Sequence, residues 1–234
     1  MKIRYYYIVL ITLSIAVISC KKDNYDAPSS TLKGRLVYKG DSIGVERDQV
    51  PYELYQYGFG KVGAIASSFA QDGSYSALLF DGDYKLIIPG GQGPFMWKQT
   101  ATGAPDSLAI TLKGSQTLDL EVTPFYMIRN PQITGSAGSV SASFKVEKIV
   151  TDSVNQKDIE RVSLYINKTQ FVSGGDNIAA IDLGGADIAD PNNITLNVTV
   201  PAIVPTQNYV FGRIGVKIAG VEDMIFSPVQ KIQF

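Results

Sequence analysis

Gly90-Gly91-Gln92-Gly93-Pro94-Phe95-Met96-Trp97 carries the only tryptophan of this 234-residue chain, in a run rich in glycine and proline. Residues of these types suit binding chemistry. A sugar ring presents apolar C–H faces that stack on an exposed aromatic ring, while side-chain amides bind its hydroxyls. Phe95 and Trp97 would supply the stacking surfaces, with Gln92, Lys98 or Gln99 as polar companions. The same residues fit a second reading, in which Trp97 folds inward to plug a sandwich end or a domain interface, since aromatic side chains are highly buried on average. Tyr52, Tyr55, Tyr57 and Phe59 form another aromatic cluster. Alternation along a strand puts Tyr52 opposite Tyr55 and Tyr57, so one of these faces belongs to the core.

Other chemistries are excluded or weak. The chain has no histidine, which removes Ser-His-Asp and Cys-His triads, HExxH zinc sites and imidazole bases. A pair of carboxylates across a cleft survives that exclusion. Hydrolases of that kind are usually longer, with large clefts, so a non-enzymatic protein is expected. A formal net charge of −1 without a Lys/Arg stripe offers nucleic acid no electrostatic footprint. Gly58-Phe59-Gly60-Lys61-Val62-Gly63 spells GxGxxG, but no amphipathic helix follows to bring N–H groups to a pyrophosphate, so it reads as an inter-strand loop. Asp176, Asp182, Asp187 and Asp190 match no calcium-loop spacing and read as a solvated acidic stretch. No cofactor and no metal is expected.

Cys20, the only cysteine, follows a leader. Lys2 and Arg4 precede an apolar run from Tyr5 to Val17, then Ile18-Ser19-Cys20. A basic start, a short apolar stretch and small residues at the cut mark an export signal over residues 1–19. Thirteen residues are too few for a stable spanning helix, which needs about 20. With cysteine first after the cut, the pattern looks like a bacterial lipobox, making Cys20 a lipid anchor to the membrane. Lipidation would use the one thiol and preclude an intramolecular disulfide.

The elements that must hold these residues alternate with period two. Leu32, Gly34, Leu36 and Tyr38 face away from Lys33, Arg35 and Lys39. Leu118, Leu120 and Val122 repeat the pattern, as do Val140 to Val146 and Ile194 to Val200. Each reads as a half-buried strand. Asp72-Gly73 and Asp81-Gly82 supply tight turns. With 45% apolar residues the chain can bury real cores. The expectation is an all-β protein of two tandem β-sandwiches: a tether over 20–30, one sandwich over 27–124, and a second over 125–234. Pro124 cannot continue a central strand and marks the boundary. Roughly seven strands in the second half suit an immunoglobulin- or fibronectin-III-like sandwich.

Gly34-Arg35-Leu36-Val37, Asp72-Gly73-Ser74-Tyr75 and Asp81-Gly82-Asp83-Tyr84-Lys85-Leu86 resemble the repeated edges of transthyretin-like (prealbumin-like) domains. Cys20-Lys21-Lys22-Asp23-Asn24-Tyr25, Val122-Thr123-Pro124-Phe125-Tyr126 and Arg213-Ile214-Gly215-Val216-Lys217 extend the resemblance along nearly the whole chain. It resembles domain-of-unknown-function family 3823, lipoproteins of Bacteroidota. That resemblance implies an outer-membrane, cell-surface lipoprotein accompanying SusC/SusD-type glycan-uptake proteins, with a glycan or those proteins as partner. It carries over no catalytic residues. Lys21-Lys22-Asp23 looks like a surface-export signal.

Overall fold

Nine residues from Ser30 to Tyr38 form the strand around which the first half is organised, with Leu32 and Leu36 fully buried. The computed structural model describes residues 26–58 and 63–233. The leader, Cys20 and the centre of the GxGxxG segment lie outside the described residues. No α-helix occurs among the described residues, and none is long and apolar enough to cross a membrane.

Ser30–Tyr38 pairs antiparallel with Ser74–Leu79 and Asp41–Ser42, and parallel with Gln116–Thr117 and Leu120–Glu121. The strand expected over 117–122 is thus two short pieces. Side chains take over ladder positions between them: Tyr75 Oη donates to Leu118 O at 2.8 Å, and the Asp119 carboxylate accepts from Arg35 N–H at 3.0 Å. A second sheet runs in the order Ile65–Ser68, Pro51–Gln56, Gly82–Ile87, Leu108–Leu112. Between the sheets Tyr52, Phe69 and Tyr75 meet with ring centroids 5.0 to 5.8 Å apart. Edge and tilted contacts of this kind add to the apolar burial. Tyr52 therefore marks the core face, while Tyr55 and Tyr57 stand on the outer face beside Lys85, whose Nζ lies 5.2 Å from the Tyr57 ring.

The second half has one sheet of Tyr126–Ser136, Ser139–Lys148 and Ile194–Thr199, and another ordered Ala179–Gly184, Ile159–Asn167, Tyr209–Ile218, the last flanked by Ile225–Phe226 and Gln230–Gln233. Val140, Ala142, Phe144 and Val146 from one sheet and Val162, Leu164, Ile214 and Val216 from the other fill the space between. The alternation in 140–146 and 194–200 corresponds to strands whose even-numbered residues face inward.

Each main sheet draws its strands from one side of Pro124, but the halves are not merely strung together. Buried residues from Leu32 to Ile232 belong to one continuous apolar cluster. Tyr209–Ile218 is buried on both faces. Its second face, with Phe211, Arg213 and Gly215, is covered by a smaller cluster of Tyr165, Val172, Met224 and Phe226 that abuts the first half.

Candidate functional site

The seam between the halves is built around Arg213, which is 1% exposed. Its Nε donates to Ser227 O at 2.8 Å and its Nη1 to Val45 O at 3.1 Å, with Val172 O at 3.5 Å. Its Nη2 donates to Gln71 O. The guanidinium also lies 4.4 Å over the Phe226 ring. One side chain thus binds carbonyls of both halves, and the planar five-donor fork is what allows it. Burial pushes the Arg213 guanidinium down to about 9, so it stays charged at neutral pH. Beside it Phe226 N–H donates to Gly44 O at 2.9 Å. A side chain on Gly44 would press on Phe226 O and on the guanidinium, which is why the approach requires glycine. At the rim Arg129 bridges Asp41 of the first half and Glu147 of the second, at 2.5 and 2.7 Å.

Elsewhere along the seam the halves part around a pocket of about 340 Å3. Small-molecule sites span about 300–1,000 Å3. The first half contributes Gly90 to Gly93, Phe95 to Gln99 and Pro105; the second contributes Val154, Asn155, Gln156, Lys157, Gly220 and Val221. The glycine- and tryptophan-bearing segment therefore borders this concavity.

Local chemistry sets the shape of that segment. Gly93 has φ +81°, a left-handed conformation that costs glycine little, and the Phe95 ring lies where a side chain at Gly93 would sit. Phe95–Met96 pairs with Thr123–Pro124, fixing the segment to the crossing point between the halves. From the second half, the Asp223 carboxylate accepts Gly93 N–H at 2.7 Å. Burial raises the Asp223 carboxyl above its ordinary range, against the opposing effect of that hydrogen bond. Residues 98–106 form a hairpin, closed by Asp106 N–H to Lys98 O at 2.9 Å and Thr100 N–H to Ala104 O at 2.8 Å.

The four residues singled out from the sequence all line the pocket. Their surroundings differ. Phe95, 4% exposed, packs beneath the loop and supports it without offering a free face. Trp97 is half-buried, packed against the core, and its indole N–H donates to Asp106 O at 2.7 Å. Gln92 is half-buried and Gln99 exposed, and neither side-chain amide hydrogen-bonds another described residue. Both readings of Trp97 thus capture part of its placement: the indole is pinned at one edge while the residue still borders open space.

Sequence reasoning missed the opposite wall. Asp152 builds it, its Oδ1 accepting from Val154 N–H at 3.2 Å, Asn155 N–H at 2.9 Å and Asn155 Nδ2 at 3.0 Å. Gln156 Oε1 accepts from Lys148 Nζ at 3.0 Å, which leaves its amide N–H groups as donors. Val154, 87% exposed, places an apolar side chain at the mouth. The polar run Asp152 to Asp158 signals a loop; nothing local signals what it faces. Among the described residues no group of three His, Cys, Asp or Glu converges as metal ligands would. What the pocket can do is hold a polar ligand with an apolar face, between amides, lysines and one indole.

The N-terminal domain of DUF3823, a family of proteins of unknown function, matches residues 30–123, and DUF3823_C, a domain of unknown function, matches residues 126–231. A solved DUF3823 family protein from Parabacteroides merdae is 33% identical, with a TM-score of 0.76, over 89% of this chain and 100% of that one. One from Bacteroides ovatus is 28% identical, also with a TM-score of 0.76, over 88% of this chain and 99% of that one. A candidate carbohydrate binding protein from Bacteroides uniformis shares the fold at 15% identity and a TM-score of 0.66, over 88% of this chain and 100% of that one. No curated protein matches. With both family domains matched in order and a one-third-identical relative aligned end to end, the chain belongs to the DUF3823 family.

Proposed function

We propose that the protein is a non-enzymatic, carbohydrate-binding lipoprotein of the outer membrane, held at the cell surface by lipid on Cys20 and serving a SusC/SusD-type glycan-uptake system. The observation that carries the binding reading is the seam pocket, where Trp97 and Val154 offer apolar surface among the amides of Gln92, Gln99, Asn155 and Gln156. That mixture suits a pyranose, whose faces are apolar and whose edges are hydroxyls. The Bacteroides uniformis protein of the same fold, a candidate carbohydrate binding protein, agrees with it. The absence of histidine and the lack of a carboxylate in the pocket lining argue against hydrolysis. The lipobox and the resemblance to lipoproteins of glycan-uptake systems support the rest. One acyl chain anchors only marginally, so a lipidated cysteine with several chains suits stable attachment.

The test is a screen of the purified protein against plant, host and microbial glycans, with every hit repeated on Trp97→Ala. Binding lost in the variant supports the reading; a hit unaffected by it moves the site elsewhere. Fatty-acid labelling that persists in Cys20→Ala would overturn the anchor. A rigid spacer without a small ligand is the second reading, favoured by the Arg213 seam. It gains if no glycan binds.

A further inference from the structure

The charge of the pocket narrows the ligand. Lys98 and Lys157 are the ionisable side chains in its lining, and no carboxylate joins them. The chain as a whole carries a formal charge of −1, so this positive concavity is local.

Two nearby carboxylates are engaged by backbone N–H groups, and a third makes a weak surface pair. Asp152 is taken up by the turn N–H groups of Val154 and Asn155. Asp223 lies behind the loop on Gly93 N–H. Asp106 pairs with Lys98 at 3.5 Å across two partly exposed side chains, a contact that salt weakens and a ligand can replace.

The lysine on the opposite wall has no carboxylate within ion-pair distance among the described residues. Lys157 Nζ lies 5.7 Å from the Phe125 ring and 3.7 Å from where a side chain on Gly220 would begin, and both those residues line the pocket. The Gln156 amide, its oxygen occupied by Lys148, adds N–H donors on the same wall. Donors and cations in a lining without a carboxylate suit an anion.

We infer that the saccharide this pocket takes is acidic, a uronic acid or a sulfated sugar, whose carboxylate or sulfate is read by Lys98 and Lys157. The inference rests on the carbohydrate-binding reading of the same pocket and specifies the glycan class. Charge-assisted hydrogen bonds to carboxylate or sulfate are stronger than neutral ones, so an acidic form should exceed its neutral counterpart.

Titration calorimetry on the purified protein tests it with matched pairs: an oligogalacturonide against its methyl ester, and a sulfated galactan oligosaccharide against its desulfated form. The expected result is about tenfold tighter binding of the acidic member in at least one pair, falling with added salt. The double variant Lys98→Gln, Lys157→Gln should erase that preference, so that the acidic and neutral members of the pair bind alike. An acidic preference that survives in the double variant overturns the assignment. Equal or tighter binding of both neutral members overturns the acidic class but leaves carbohydrate binding standing. No binding of any of the four overturns the acidic class, and the broad glycan screen then decides carbohydrate binding itself.

Discussion

Along one stretch of the seam Arg213 draws carbonyls from both halves and the Phe226 ring into a closed contact, while along another the loops Gly90–Gln99 and Val154–Lys157 stand apart around open space. The two stretches join the same pair of sandwiches and use opposite chemistry. The closed stretch satisfies a buried charge with backbone oxygens. The open stretch leaves amides, an indole and lysines facing solvent. The difference teaches that the seam has two tasks, and that the first serves the second: a pocket walled by two domains keeps its shape only if those domains are held fixed. Asp223 links the two, standing in the covering segment near Phe226 and holding Gly93 of the pocket loop.

The largest way to break this comparison is Arg213→Ala. It strands the carbonyls of Ser227, Val45 and Val172 in the interior, each costing about 1–3 kcal/mol when unsatisfied, while Gln71 O keeps the Val45 N–H. Chemical denaturation should show a loss of about 3–5 kcal/mol, with the transition dividing as the halves uncouple. Arg213→Lys should recover less than half, because a point charge cannot span both sets of oxygens. A stability change within error for Arg213→Ala would show that the closed stretch does not hold the domains.

A smaller break is at Asp223. Removing the carboxylate in Asp223→Ala orphans Gly93 N–H and should cost about 1–3 kcal/mol. Asp223→Asn keeps an acceptor without the buried charge and should be close to neutral. The pH dependence has a definite sign. Burial raises this carboxyl, so the folded state holds its proton more firmly than the unfolded chain does. Its contribution to stability is full below the ordinary aspartate value near 4 and is lost as pH rises through the raised value. Asp223→Asn should therefore lose less stability than the parent over that window. Parallel pH–stability curves for the two proteins would contradict this.

How far the sequence discloses such a seam depends on whether the signal is local. Period-two alternation places Leu32 and Leu36, Val140 to Val146, and Ile194 to Val198 on the core faces where they lie. The strand at 117–122 is legible as apolar alternation but not as two pieces, since the Tyr75 hydroxyl and the Asp119 carboxylate that interrupt it act across the sheet. Trp97 stands out by its rarity and by its glycine-rich loop. Arg213 leaves a fainter trace: an arginine in the apolar run Tyr209 to Ile218, buried on both faces, needs a partner for its charge. Lys157 and Gln156 reach the pocket, and Asp223 the loop behind it, from sequence positions far from Gly93, and nothing in their own neighbourhoods predicts that meeting.

The smallest expected effect sharpens the open stretch. Lys98→Gln removes an exposed pair with Asp106 and should shift stability by no more than about 0.5 kcal/mol. A larger loss in thermal denaturation would make Lys98 a support of the hairpin instead of a ligand contact.

The most direct test uses Trp97 as its own reporter, because the chain has no other tryptophan. Emission is followed while the purified protein is titrated with a glycan whose binding calorimetry has established. The account predicts a saturable change in Trp97 emission with the same dissociation constant as the heat. Calorimetric binding with unchanged emission would place the glycan away from the seam pocket and contradict the central claim.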